Sequence, residues 1–183
     1  MRAAVWTGVD EDLSVEEVTP LPPGGRDVVV QIDASGVCHS DHAVLHGHLP
    51  WPPPAILGHE VCGTVLDVGG EVTRVSKGDR VISSGLPACS NCWFCVRGQS
   101  HLCENTFSLT DTPRARRGDG SPVTAFASLG GFAERMTVPE DRRGPPREMP
   151  PEDGRFGVAD TAGSDLHDHV VGAGRKRLHL LDL

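Results

Sequence analysis

Gly58-His59-Glu60-Val61-Cys62-Gly63-Thr64-Val65-Leu66-Asp67-Val68-Gly69-Gly70-Glu71-Val72 sets a strand-forming run between a polar start and a paired-glycine turn. Val61 to Val68 reads as a strand, and Gly69-Gly70 ends it. Working outward, Asp27 to Ser35 is a better strand still, β-branched and partly alternating. Pro20, Pro22, Pro23, Gly24 and Gly25 form a loop ahead of it. Arg2 to Thr7 and Leu13 to Val18 make an earlier pair. On the other side, Lys77-Gly78 is a turn before Asp79 to Ser83, and Phe132 to Val138 closes the series. One short helix is expected between Cys38 and His46. Strands this short, separated by so many glycines, predict a mainly β fold built as a small antiparallel barrel.

A second pattern interrupts the strands. Cys89, Cys92, Cys95 and Cys103 stand at the spacing C-x2-C-x2-C-x7-C. Thiolates this close in sequence can converge on one tetrahedral ion, with Zn–S distances of about 2.3 Å. The surrounding segment has tight-turn residues and no helix or strand period, so a metal would supply the order that a hydrophobic core does not. A closed set of four thiolates keeps no open coordination position, which makes the site structural. An iron–sulfur cluster also takes four thiolates, but the bacterial run places its last cysteine three residues on, followed by proline. Here seven residues intervene and Glu104 follows. Zinc is the better reading.

Composition narrows the function classes. The chain has 183 residues, enough for one domain with a sizeable core and short for two. Its net charge of -8 argues against nucleic acid or an anionic membrane surface as partner. The N-terminus lacks the apolar core of a secretory signal, and no stretch approaches the roughly 20 apolar residues of a membrane span. The six cysteines are therefore expected to be reduced thiols and metal ligands in the cytoplasm.

Cys38 and His59-Glu60 form a different kind of site. Cys38 follows a strand and begins Cys38-His39-Ser40-Asp41; His59 sits just ahead of the next strand. A thiolate, an imidazole and a nearby carboxylate suit zinc, and incomplete protein ligation leaves a place for substrate. Asp41 is placed to hold the free ring nitrogen of His59. Taken singly, Cys38 is more often a small buried hydrophobe and His59 a satisfied turn histidine.

The motif context adds specificity. Gly58-His59-Glu60, Gly63, Gly69 and Val72 match, glycine for glycine, the signature G-H-E-x2-G-x5-G-x2-V of the zinc-type alcohol dehydrogenases in the medium-chain dehydrogenase/reductase family. Gly36-Val37-Cys38-His39-Ser40-Asp41 is similar to that family's first catalytic-zinc segment, and the four cysteines have its structural-zinc spacing. Gly78-Asp79-Arg80-Val81 and Gly131-Phe132-Ala133-Glu134 resemble family strands in the expected order. The resemblance covers residues 1 to about 141. It implies a GroES-like barrel with a structural zinc lobe at about 85–112 and a catalytic zinc held by Cys38 and His59. Glu60 would lie beside that metal. Ser40 occupies the position whose hydroxyl passes the alcohol proton outward, with Asp41 in support. The family reaction is hydride transfer between a small alcohol or aldehyde and NAD(P), and full-length relatives imply homo-oligomers.

Two departures stand out. The family's third catalytic ligand, usually a cysteine, lies beyond the structural lobe, yet no cysteine follows Cys103. The nucleotide-binding Rossmann domain that the resemblance implies is also expected to be absent. From Arg142 the chain turns rich in Arg, Gly and Pro, and Val170-Val171-Gly172-Ala173-Gly174 fails the nucleotide-loop fingerprint. Residues 142–183 are therefore expected to be a divergent tail, disordered or frameshifted. The chain alone is expected to hold structural zinc and to be inactive. The alternative is a stand-alone zinc-binding structural or interaction module without catalysis.

Overall fold

The computed structural model describes residues 1–83, 85, 88–106 and 112–140, together with the backbone of a strand at Leu178–Leu181. The expected tail, including Val170–Gly174, otherwise lies outside the described residues. So do residues 84, 86–87 and 107–111 of the expected lobe and its approach.

The strands run β1 (Arg2–Trp6), β2 (Ser14–Glu17), β3 (Thr19–Pro20), β4 (Asp27–Gly36), β5 (Ala55–Ile56) and β6 (Glu60–Val68). They continue as β7 (Arg80–Ser83), β8 (Ala115–Arg116), β9 (Pro122–Ala125), β10 (Arg135–Pro139) and β11 (Leu178–Leu181). A single described α-helix, α1, spans His39–Leu45. Two sheets result, one ordered β2-β1-β5-β9-β8-β3 and the other β10-β4-β6-β7-β11. The architecture is mostly β with curled sheets, as a GroES-like fold requires. Antiparallel ladders dominate, but β5 and β9 pair parallel, as do β11 and β7.

β4 and β6 form the central ladder, and their inward faces explain it. In β6, Val61, Gly63 and Val65 alternate inward; in β4, Val28 and Val30 do. The valines pack with Val75, Val81, Leu129, Met136 and Val138 into one core cluster. Fully burying each such valine stabilises the fold by about 1.5–3 kcal/mol relative to exposure. Gly63 is fixed by close approach: a Cβ there would collide with the Gln31 carbonyl oxygen across the ladder. Bulges at Val29/Val30 and Ile32/Ala34 bend the far end of β4, so that it delivers Gly36 opposite Glu60.

The turn from β4 leads into α1. Cys38 is extended at the helix N-cap, and its N–H donates to Asp41 Oδ2 at 3.0 Å. At the other end Gly47 takes φ +69°. The N–H of Gly47 donates to Val44 O and that of His48 to Ala43 O, a Schellman closure. Val44 is buried against a cluster containing Trp6, Ala55, Leu57 and Phe126. That contact pins the helix beside the start of β6.

Candidate metal centres

Asp41 organises the first centre. It is 1% exposed and accepts three hydrogen bonds. Oδ2 takes the Cys38 N–H, while Oδ1 takes the Gly58 N–H at 2.9 Å and His59 Nδ1–H at 3.3 Å. Burial pushes the Asp41 carboxyl up, but the bonds from His59, Cys38 and Gly58 outweigh it and hold the group below its ordinary value. The Asp41 bond in turn holds His59 above the usual imidazole value, against burial. One buried carboxylate thus ties the helix N-cap to the turn before β6, and it orients the His59 ring.

Gly58 completes that turn. Its φ is +87°, and a Cβ would meet the Phe132 nitrogen at 2.8 Å. Its carbonyl accepts the Gly131 N–H at 2.7 Å. With His59 so held, one ligand atom each from Cys38, His59 and Glu60 lies within 4.8 Å of the others. Ser40 Oγ is 3.5 Å from Cys38 Sγ. The structure therefore brings together all five expected residues of this centre. A thiol, an imidazole and a carboxylate converging from three different backbone positions form a donor set that fits zinc.

No local pattern in the sequence points to the surroundings of His59. Phe126 stands edge-on to the imidazole at 5.2 Å between ring centroids, and Trp51 packs edge-on against Phe126 at 4.9 Å. Trp51 Nε1–H donates to Thr124 Oγ1 at 3.3 Å, so this tryptophan both anchors its loop and extends an aromatic wall. Gly85 also lies against the ring, where a Cβ would sit 3.2 Å from His59 Cδ2. The one available hint is Phe126 itself, a lone aromatic between small residues ahead of Gly130-Gly131.

The second centre is built from turns. Cys89, Cys92, Cys95 and Cys103 place their sulfur atoms within 4.8 Å of one another. Short 3-10 turns at Cys95–Arg97 and Ser100–Leu102 carry the connection from Cys95 to Cys103. Backbone N–H groups point at sulfur: Cys89 N–H to Cys103 Sγ at 3.3 Å, Cys92 N–H to Cys89 Sγ at 3.3 Å, and Asn105 N–H to Cys103 Sγ at 3.4 Å. The Asn105 side-chain amide adds a bond to Cys89 Sγ at 3.3 Å. Burial raises the Cys89 thiol. The Asn105 amide and the N–H groups of Asn91 and Cys92 overcome that and bring it down to about 6. Four convergent sulfurs with donors aimed at them fit a tetrahedral ion.

A family model for the alcohol dehydrogenase GroES-like domain matches residues 24–146. The chain belongs to that family. It is 34% identical over 143 residues to the NDMA-dependent alcohol dehydrogenase of Amycolatopsis methanolica, a match covering 75% of this chain. The chain spans 38% of the length of that curated relative. The fold superposes on an alcohol dehydrogenase zinc-binding domain protein from Burkholderia ambifaria with a TM-score of 0.71 and 31% identity, covering 75% of this chain and 39% of that one. Benzyl alcohol dehydrogenase from Acinetobacter calcoaceticus gives a TM-score of 0.66 and 29% identity, covering 75% and 38%. Its two donor clusters agree with the zinc that membership in the alcohol dehydrogenase GroES-like family implies. No described helix is long and apolar enough to cross a membrane.

Proposed function

We propose that residues 1–141 form the zinc-dependent catalytic domain of an alcohol dehydrogenase. In this reading Cys89, Cys92, Cys95 and Cys103 hold a structural zinc within a lobe at about 85–112. Cys38 and His59 ligate the catalytic zinc. Glu60 takes the third protein position, in place of the cysteine that family members carry further along the chain. The observation that carries this reading is the convergence of the Cys38, His59 and Glu60 donors over buried Asp41.

A zinc ion bound there supplies Lewis acidity toward an alcohol or aldehyde oxygen. The protein's own residues do the rest. Asp41 keeps the proton on His59 Nδ1, so that Nε2 presents its lone pair. Ser40, with a hydroxyl that both donates and accepts, receives the alcohol proton and passes it outward. Phe126 and Trp51 wall off water beside His59, which favours alcohols with an apolar body. The nicotinamide that exchanges hydride, NAD or NADP, is assigned to the part of the relatives that this chain does not span. The chain by itself would bind metal without turnover, in the cytoplasm, and oligomerise only within the longer architecture.

Metal content per chain, with and without Cys38→Ala, tests the assignment. Close to two zincs, falling to one in the variant, is the expected result. One zinc, unchanged by the substitution, would sink the catalytic centre. A second reading, a zinc-stabilised interaction module without chemistry, is favoured by the exposure of Trp93, Val96 and Leu102 on the lobe. Cobalt substitution separates the two. A visible spectrum that shifts on adding an alcohol analogue, and only with Cys38 present, supports the enzyme domain; an unresponsive spectrum supports the module.

A further inference from the structure

Helix α1 carries a third constellation that neither centre uses. His39, His42 and His46 stand at i, i+3 and i+7, and His48 follows, so four of the nine histidines fall within ten residues. All four are exposed. His42 and His46 have ring centroids 4.3 Å apart with an interplanar angle of 52°. His39 stacks on His42 at 5.5 Å, and His48 lies 6.4 Å from His46. The His46 N–H donates to the His42 carbonyl at 3.1 Å, so the closest pair sits on one closed helical turn with both side chains on the same face.

The loop between β1 and β2 is built against this pair. Asp10 takes φ +60°, which a non-glycine residue adopts at a cost, and its N–H donates to the Leu45 carbonyl at 2.8 Å. In that conformation its Oδ1 accepts the His46 Nδ1–H at 2.7 Å. A carboxylate on Nδ1 fixes the ring and leaves Nε2 as the free lone pair, the arrangement found behind metal-ligating histidines. The charge pattern points the same way. Asp10 places a carboxylate beside the C-terminal end of α1, whose own carbonyls carry partial negative charge. Negative charge there is unfavourable unless a cation accompanies it.

We propose that His42 and His46, with Asp10 orienting His46, chelate an exchangeable divalent ion of the late first-row transition series on the outer face of α1. Two imidazole nitrogens with water completing the sphere suit Ni2+ and Cu2+ better than the thiolate-rich lobe does. This site is separate from both centres above and does not depend on the enzymatic assignment. Occupancy would tie the β1–β2 loop to the last turn of the helix whose N-cap is Cys38.

The test is a Ni2+ titration of the full chain with its cysteine centres already loaded with zinc, read by calorimetry and by paramagnetic broadening of histidine ring resonances. One Ni2+ should bind per chain with no zinc released, broadening His42 and His46. His42→Ala and His46→Ala should each weaken binding at least tenfold, and Asp10→Asn about tenfold. Unchanged zinc content in each variant shows that it has folded. Zinc appearing in solution in step with nickel uptake, or wild-type nickel affinity in both histidine variants, overturns the proposal.

Discussion

The two candidate metal centres reach similar donor convergence by opposite routes. In the lobe, all four ligands come from one stretch of fifteen residues, Cys89 to Cys103, and the order around them is hydrogen bonding to sulfur within that stretch and from Asn105. Among the described residues, the cysteines with Ala88 and Phe94 make up its apolar cluster, while Trp93 and Val96 lie open. At the first centre, Cys38 and His59 are twenty-one positions apart. They meet because α1, β4 and β6 are packed and because Asp41 is buried between them. One centre draws its shape from hydrogen bonds within a short stretch; the other has its shape imposed by the barrel.

That difference is open to breakage, and the largest effect should come from metal removal. Stripping zinc with a chelator, or making Cys95→Ser, should abolish hydrogen-exchange protection across residues 88–106 while β4 and β6 stay protected. Structural zinc contributes about 10–16 kcal/mol of apparent binding free energy in small zinc domains, far more than the small apolar cluster around the cysteines can replace. Loss of barrel protection at the same chelator concentration would show that the lobe is not independent.

Asp41→Ala is the matching blow to the packed centre. It leaves the Cys38 and Gly58 N–H groups and His59 without their acceptor, and a broken buried charge pair of this kind costs about 3–5 kcal/mol. Metal affinity at the first centre should fall by about 10–100-fold, with zinc in the lobe unchanged. A variant that loses both zincs would contradict the separation. The same pair makes the metal-free protein pH-dependent in two directions. Asp41 has a depressed folded value, so its contribution is present above about pH 4 and lost as pH falls through that depressed value. His59 has a raised folded value, so its contribution is complete below about pH 6.5 and lost as pH rises through the raised value. Urea midpoints of the metal-free chain should therefore decline on both sides, and Asp41→Asn should flatten both limbs.

Gly63→Ala probes the barrel that imposes the first centre. Its Cβ would press on Gln31 O and Val30 across the β4–β6 ladder, for a cost of about 1–3 kcal/mol. The melting temperature should fall without loss of lobe zinc; an unshifted melt would mean that the ladder relaxes freely. The smallest change expected is Asn105→Ala. It removes one N–H from Cys89 Sγ, so the thiol should rise from about 6 and lobe zinc affinity should drop by about tenfold. Competition with a chromophoric chelator reads this directly, and equal affinity would show that the backbone donors suffice.

The strands β1, β2, β4, β6 and β7 are legible in the sequence because each spans four residues or more and is bounded by turn residues. β3, β5 and β8 are two residues long, too short for any period to register, and β9 begins at a proline. The sequence predicts the last barrel strand from Phe132, but β10 starts at Arg135. Phe132 instead packs against the cluster that holds Trp6 and Leu57, and Ala133 makes an isolated bridge to Ala3.

Local spacing was enough to single out the four cysteines that converge in the lobe, because thiolates within fifteen residues can meet whatever the rest of the chain does. The sequence also marked Cys38, Ser40, Asp41, His59 and Glu60, through short motifs around turns that need glycine. Only the tertiary structure decided that Asp41 serves three donors at once, that Phe126 and Gly85 flank His59, and that Asp10 reaches His46. Those contacts join segments far apart in the chain, and their closeness follows from sheet pairing and core packing, which no local pattern encodes.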